Sequence, residues 1–196
     1  MSVIFAFTTT TTNTTTTTTT TASMDNNDDE WGAMEDVTVV GTCTDLEKEY
    51  FRLNEAPHPS TVRPEAVLRQ ALHRLKSRLA SKEVDYEPYG WSQLKAIRQD
   101  LLVQHIRNSF AVEVYETHAR IALENGDLNE YNQCQTQLFE HYQEGISGSE
   151  LEFLAYRILY YVYLGGNPKY QEGDRGMLKI LAELTPEVGL LLLLLL

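Results

Sequence analysis

The sequence predicts an all-α chain, built as a right-handed stack of helical hairpins in the manner of tetratricopeptide-like solenoids. Three observations carry that expectation. Apolar residues recur at three- and four-residue steps through most of the chain. Helix start and stop signals separate the periodic stretches at intervals of about 15 to 25 residues. No window shows sustained strand alternation or an Asn-Gly hairpin between alternating runs.

The elements follow in order. Thr44 and Glu47 form a capping-box pattern before LEKEYFRL, predicting a short helix at about 44–53. The run APHPSTVRP breaks it, because a residue before proline is pushed out of the α region. Pro64 then suits the first position of a helix through PEAVLRQALHRLKSRLA, with Val67 or Leu68, Ala71 or Leu72, Leu75 and Leu79 on one face. After a loop holding Pro88 and Gly90 comes WSQLKAIRQDLLVQHIR, with Leu94, Ile97, Leu101 and Ile106 inward.

Ser109 is the expected N-cap of SFAVEVYETHARIALENG, whose stripe is Phe110, Val114, Ile121 and Ala122. Asn125-Gly126 supplies its left-handed stop. Asp127 and Glu130 repeat the capping-box pattern for LNEYNQCQTQLFEHYQ, with Leu128, Tyr131, Cys134, Leu138 and Tyr142 inward. The link between these two helices is about three residues, so they form an antiparallel hairpin. Ser149 and Glu152 make a third box before LEFLAYRILYYVYL, which Gly165-Gly166 ends. A last amphipathic piece, GMLKILAEL, stops at Thr185-Pro186.

Around this core the composition shifts. Thr8 to Thr21 is threonine apart from Asn13, and Leu190 to Leu196 are all leucine. Residues 1–36 are expected to be a disordered leader, threonine-rich and then acidic around Trp31, and 188–196 a poly-leucine tail. That leaves 37–187 as the fold, long enough for a sizeable core. The start MSVIFAF lacks the basic residues and apolar length of a secretory signal. The eight residues from Gly189 fall short of the roughly 20 a membrane crossing needs, so no membrane association is expected. Two cysteines, Cys43 and Cys134, with no second ligand at metal spacing, fit a reduced chain without metal or cofactor.

The formal net charge is −12. It disfavours a chain that wraps nucleic acid over its whole surface. Yet between Thr61 and Arg107 nine Lys/Arg stand against five Asp/Glu. Arg63, Arg69, Arg74, Lys76, Arg78 and Lys82, joined by Lys95, Arg98 and Arg107, could form a phosphate-contacting surface. The plainer alternative is a solvated face, or cations paired with the acidic later helices. Tyr156, Tyr160, Tyr161 and Tyr163 offer either repeat packing or an interface. No catalytic constellation is present: there is no GxSxG, phosphate loop or HExxH. His118 and Cys134 fit helix packing better than acid–base or nucleophilic chemistry, so no enzyme is expected.

The strings VVGTCTDLEKEYFRL, APHPSTVRPEAVL, QLKAIRQDLLVQHIRNSFAVEVYETHARIALENGD, EYNQCQTQL and EFLAYRILYY together resemble the Sac/GANP/Thp family, in its leukocyte receptor cluster member 8-like branch. The resemblance implies the N-terminal helical part of a PCI-type domain, which in relatives leads into a winged helix. It implies a nuclear scaffold of mRNA biogenesis that couples transcription or splicing to export. The implied partners are a second PCI-type subunit and a small acidic protein, with Arg63, Lys95, Arg98 and Arg107 as the implied RNA-contacting residues. After LAELTPE the sequence departs from the family, so the winged helix is expected to be absent and the chain a truncated copy. The alternatives left open are a PCI-type subunit of a non-nuclear assembly, such as the proteasome lid or a translation initiation complex, and a non-functional fragment.

Overall fold

The computed structural model of the chain describes residues 38–165. The expectations for the leader, the 176–184 piece and the leucine tail lie outside the described residues. Within them the chain is all-helical: α1 (Glu65–Ala80), α2 (Trp91–Val103), α3 (Ser109–Glu124), α4 (Leu128–Gln143) and α5 (Glu150–Gly165) follow one another, and no strand occurs among the described residues. Consecutive helices pack as neighbours, most extensively α3 with α4, across the short turn Asn125–Asp127.

α3 is the hub because it is apolar on two sides. Phe110, Ala111 and Val114 join Leu68, Leu72 and Leu75 of α1 and Leu94, Ile97 and Leu101 of α2 in one core. Val112, Tyr115, Ala119 and Ala122 join Tyr131, Cys134 and Leu138 of α4 and Phe153 of α5 in a second. Each fully buried leucine or phenylalanine contributes roughly 1.5–3 kcal/mol by leaving water. A helix covered on both sides can afford little polar surface, and the small Ala111, Ala119 and Ala122 let its neighbours approach. The expected stripe Phe110, Val114 and Ala122 is buried, and Ile121 is partly so. The second face went unassigned in the sequence.

The first four α-helices end alike. The N–H groups of the last two residues of each turn reach back to the carbonyls three and five positions earlier: Lys82 to Leu79 with Glu83 to Arg78, His105 to Leu102 with Ile106 to Leu101, Gly126 to Leu123 with Asp127 to Ala122, and Gly145 to Tyr142 with Ile146 to His141. This is the Schellman arrangement, which needs a left-handed residue at its pivot. Gly126 and Gly145 supply it without strain, whereas Lys82 (φ 55°) and His105 (φ 52°) supply it as non-glycine residues.

Four local expectations are corrected. The segment 44–53 is not helical. It is an extended strap: side chains of α2 take its backbone groups, Lys48 N–H donating to Gln93 Oε1, Tyr50 N–H to Ser92 Oγ and the Phe51 carbonyl accepting from Gln99 Nε2, while its Glu47 carboxylate pairs with Arg74 and Arg78 of α1. These long-range bonds outcompete a local capping box. α2 stops at Val103 instead of Arg107, at the His105 pivot. The N-cap of α3 is Asn108, whose Oδ1 accepts from the N–H groups of Phe110 and Ala111, not Ser109. Pro64 caps α1 from just outside instead of opening it.

Candidate interaction surface

The cations singled out in the sequence divide between interior and surface. Arg63 is the correction: it is wholly buried, so it cannot face a phosphate backbone from the outside. Its Nε donates to Asp100 Oδ2 at 2.6 Å and its Nη1 to the Leu46 carbonyl at 3.4 Å, while Nη2 is buried without a partner. Lys48 completes the cluster, donating from Nζ to Asp100 Oδ1 and to the Thr61 carbonyl, each at 2.6 Å. Gln104 closes it, donating to the carbonyls of Arg63 and Asp100 and accepting from Gly41 N–H. A Cβ on Gly41 would stand 2.4 Å from the Val62 carbonyl oxygen, so only glycine lets the strap lie this close.

Lys95 and Arg98 also turn inward. Both donate to the buried Glu130 of α4, at 2.7 and 2.9 Å. The Lys95 ammonium lies over the rings of Tyr50 and Trp91, at 4.9 and 4.2 Å from their centroids. Arg98 Nη1 donates to the sulfur of Cys134. Burial pushes the Cys134 thiol up to about 11 against the pull of Arg98, so it is a neutral packing group and a poor nucleophile. Glu130 fills half of its expected box: Asp127 Oδ1 accepts from Glu130 N–H, but the Glu130 carboxylate goes to α2. Asp127 Oδ2 accepts from the Tyr86 hydroxyl.

His118 stands beside this network, fully buried, with Tyr86 Oη 3.5 Å from Nε2 and no partner on Nδ1. Burial, then the charges of Arg98 and Lys95, push its pKa down to about 2. It stays neutral, and no carboxylate orients it.

A third cluster anchors α5. Buried Glu116 accepts from Tyr142 Oη (2.8 Å), Ser149 N–H (2.6 Å), Ser149 Oγ (3.1 Å) and Arg120 (3.2 Å). Arg120 also grips Glu152 with two bonds of 2.7 and 2.8 Å. The expected Ser149/Glu152 box is therefore opened, both members being drawn to α3. The loop can close over Glu116 only because residue 148 is glycine, since a Cβ there would lie 2.5 Å from Glu116 Oε1.

What remains outside is the far face of α1. The side chains of Arg69, Arg74 and Lys76 are about half exposed, at 50, 54 and 48%. Each touches one carboxylate: Glu65, Glu47 and Glu113 respectively. Arg78 is shared between Glu47 and Glu83, and Arg107 pairs with Glu144 on a separate edge. An open cleft of about 750 Å³ borders this face, lined among others by Lys76, Leu79, Lys82, Tyr86, Arg120 and Ile121. Among the described residues no group of three His, Cys, Asp or Glu could hold a metal ion, and no helix is long and apolar enough to cross a membrane.

Of these residues the sequence reading missed Lys48, Asp100 and Gln104. Asp100 carried a signal, since it lies three residues after Ile97 and beside Leu101, on the apolar side of its helix. Lys48 carried none, because its role depends on a strap the local sequence disguised as a helix.

The comparisons with known proteins fit this architecture. The SAC3/GANP family matches the chain over residues 42–184. A THP3 homolog of Schizosaccharomyces pombe is 56% identical over 129 residues, which is 66% of this chain and 32% of the relative. A leukocyte receptor cluster member 8 homolog of Xenopus laevis is 53% identical over 129 residues, 66% of this chain and 16% of the relative. The SAC3 family protein A of Arabidopsis thaliana is 46% identical over 158 residues, 81% of this chain and 14% of the relative. The chain thus spans less than a third of the length of each of these relatives.

Proposed function

The chain belongs to the SAC3/GANP family, and from that membership we propose that its helical stack is a scaffold segment of nuclear mRNA biogenesis, in the transcription- or splicing-coupled export of mRNA. The observation that carries the reading is the extent of the match: residues 42–184 take in all five described α-helices and the whole of the 44–53 strap. The relatives that share this stretch are named for THP3 and SAC3. The segment works by contact, not catalysis. Its buried polar groups are spent on holding the strap, α2, α4 and α5 in place, with Asp100, Glu130 and Glu116 as the three nodes.

Its partners are a second PCI-type subunit, a small acidic protein and RNA. For RNA the exposed set Arg69, Arg74 and Lys76 on α1 is the reading's best surface. Exposed ion pairs are worth little in water, roughly 0–1 kcal/mol, so a phosphate can replace Glu65, Glu47 or Glu113 at small cost. Arg63, Lys95 and Arg98 serve the scaffold itself.

The test is purification of the tagged full chain from cells, with a full-length relative as control. Recovery of RNA together with a PCI-type subunit, from nuclei, is the expected result. Loss of both sinks the reading for this chain. Exclusion from the nucleus points instead to a subunit of a non-nuclear assembly.

A further inference from the structure

One carboxylate oxygen on the strap gathers two guanidinium groups. Glu47 Oε1 accepts from Arg74 Nε and from Arg78 Nη1, each at 2.9 Å. Arg78 Nη1 also donates to the Tyr89 hydroxyl at 2.6 Å, and the Arg78 guanidinium lies over that ring, 4.8 Å from its centroid. Glu83 stands 3.4 Å from Arg78 Nε without a hydrogen bond to it. Arg69 and Lys76 of the same helix each have a carboxylate of their own, Glu65 and Glu113, whereas Arg74 and Arg78 share one. Two arginines one helical turn apart, steadied by a phenol, form a fork that suits an oxygen of a phosphate as well as one of a carboxylate.

Glu47 can leave this fork without the strap leaving α2. The backbone on either side of it is held independently: the Leu46 carbonyl accepts from Arg63, Lys48 N–H donates to Gln93 and Tyr50 N–H to Ser92, while Lys48 Nζ is tied to Asp100. The Glu47 and Arg74 side chains are 39 and 54% exposed. An ion pair so open to water is worth roughly 0–1 kcal/mol.

We propose that Arg74, Arg78 and Tyr89 are a phosphate site for RNA that Glu47 plugs, so that the strap sets how tightly the α1 surface takes an RNA strand. The inference rests on the RNA reading of that surface and adds a site and a built-in competitor to it. A phosphodiester and a carboxylate each carry one negative charge, so their exchange leaves the charge at the fork unaltered, and the phosphodiester offers two free oxygens to the two arginines. RNA is the favoured source of the phosphate because the helix carries cations on both flanks. Arg69 and Lys76, seven residues apart, lie on the side toward α3, with Arg69 over the Phe110 ring and Lys76 against Glu113. A helix with its side chains is about 10–12 Å wide, so a polyanion can reach both flanks where one phosphorylated side chain reaches only one.

Binding of a labelled single-stranded oligouridine to the full 196-residue chain, followed by fluorescence anisotropy at about 50 mM salt, tests this. Glu47→Gln is expected to bind about two- to fivefold more tightly than the unaltered chain, the gain that loss of an exposed ion-pair competitor allows. Glu49→Gln removes the same charge two residues further along, where the exposed carboxylate pairs with no cation among the described residues, and is expected to change nothing. In an Arg74→Gln/Arg78→Gln background Glu47→Gln should bring no gain. Amide exchange at Lys48 and Tyr50 should stay as slow in Glu47→Gln as in the unaltered chain. Equal gains from Glu47→Gln and Glu49→Gln, or a gain that survives loss of both arginines, overturn the proposal by making the effect one of net charge. Faster exchange at Lys48 and Tyr50 overturns it as well, because the strap itself would have lifted. So does a phosphoserine peptide that binds Glu47→Gln more tightly than the oligouridine does, which would assign the fork to a phosphoprotein. RNA binding that ignores Glu47→Gln sinks the plug and leaves the RNA reading standing, while no RNA binding by any variant removes both.

Discussion

Arg63 and Asp100 meet 2.6 Å apart with neither side chain exposed, and the strap, α1 and α2 all converge on that contact. Asp100 is the only carboxylate within ion-pair distance of Arg63 among the described residues, and it is shared with Lys48. Removing one member of a buried pair strands the other, at a cost of about 3–5 kcal/mol. Asp100→Ala is therefore expected to lower the unfolding free energy by that amount in a urea titration. The amides of Gly41, Lys48 and Tyr50, which donate to side chains of α2 or its C-cap, should lose exchange protection first. A loss below about 1 kcal/mol would mean that the pair does not hold the strap.

Glu116 and Gly148 make a second coupled pair. Glu116→Ala removes the acceptor of Tyr142 Oη and of both Ser149 donors, and should loosen α5 while the contacts of α1 with α2 persist. Gly148→Ala forces a methyl group to within 2.5 Å of Glu116 Oε1 and 2.6 Å of Val112 Cγ1. Such overpacking costs about 1–3 kcal/mol. Since the first change removes the nearest of the three atoms that crowd the added methyl group, the double variant should lose less than the sum of the singles. Strict additivity in that cycle would place the two residues in separate environments.

The helices were legible because burial imposes period. Leu68, Leu72 and Leu75, then Leu94, Ile97 and Leu101, then Tyr131, Cys134 and Leu138 are the residues the spacing assigns inward, and they are the core. The all-helical stack and the family likeness followed from the same strings. What escaped were the places where a distant group outbids a near one. Thr44 and Glu47 spell a helix start, yet Glu47 pairs with Arg74 and Arg78 and the backbone beyond it pairs with α2. Glu130 and Glu152 spell capping boxes, yet both serve arginines of another helix. Arg63 reads as surface by charge alone, and only the placement of Asp100 reveals it as interior.

The helix ends of α1, α3 and α4 were legible in the sequence, and the one misread, that of α2, falls at the non-glycine pivot His105. Lys82 and His105 hold left-handed conformations that cost a side-chain-bearing residue roughly 1–2 kcal/mol, partly offset by the extra freedom glycine has when unfolded. Lys82→Gly and His105→Gly should each stabilise the fold by a few tenths to about 1 kcal/mol. Gly126→Ala and Gly145→Ala should each destabilise it by about 1 kcal/mol, through backbone strain alone, since an added Cβ meets nothing within 4 Å at either site. Thermal melts resolve the two directions, and the same sign at all four positions would refute the common mechanism.

The α1 surface makes a quantitative expectation. If Arg69, Arg74 and Lys76 each meet a phosphate, replacing all three by glutamine lowers the slope of log affinity against log salt by about 2 for single-stranded RNA. Stability should move by no more than about 0.5 kcal/mol for Arg74 and Lys76, each half exposed and paired with one carboxylate, and by up to about 1 kcal/mol for Arg69, whose guanidinium also lies 4.3 Å over the Phe110 ring. Fluorescence anisotropy between about 50 and 200 mM salt measures the slope. An unaltered chain whose RNA affinity ignores salt would leave these residues as ordinary surface.

Acid should act on the fold in two stages, the first set by histidine. His118 is held down to about 2 by burial and by the charges of Arg98 and Lys95, and His141 is lowered by burial and then by Arg107. In the unfolded chain both take up a proton near pH 6.5, so below that value the unfolded state binds protons that the native state refuses. Stability is therefore full above about pH 6.5 and falls as the pH drops, by about 1.4 kcal/mol per unit for each histidine until its native pKa is reached. The carboxylates of Glu152 and Glu144 are lowered chiefly by hydrogen bonds from Arg120 and Arg107, so their contribution is present above the ordinary carboxylate range and is lost only below it, in the second stage. His118→Leu should flatten the first stage without moving the second. Its cost at neutral pH should be small, because the ring has one 3.5 Å polar contact, to Tyr86, to lose. Urea midpoints from pH 7.5 to 4 decide it, and an unchanged slope between pH 6.5 and 5 in that variant would assign the acid sensitivity elsewhere.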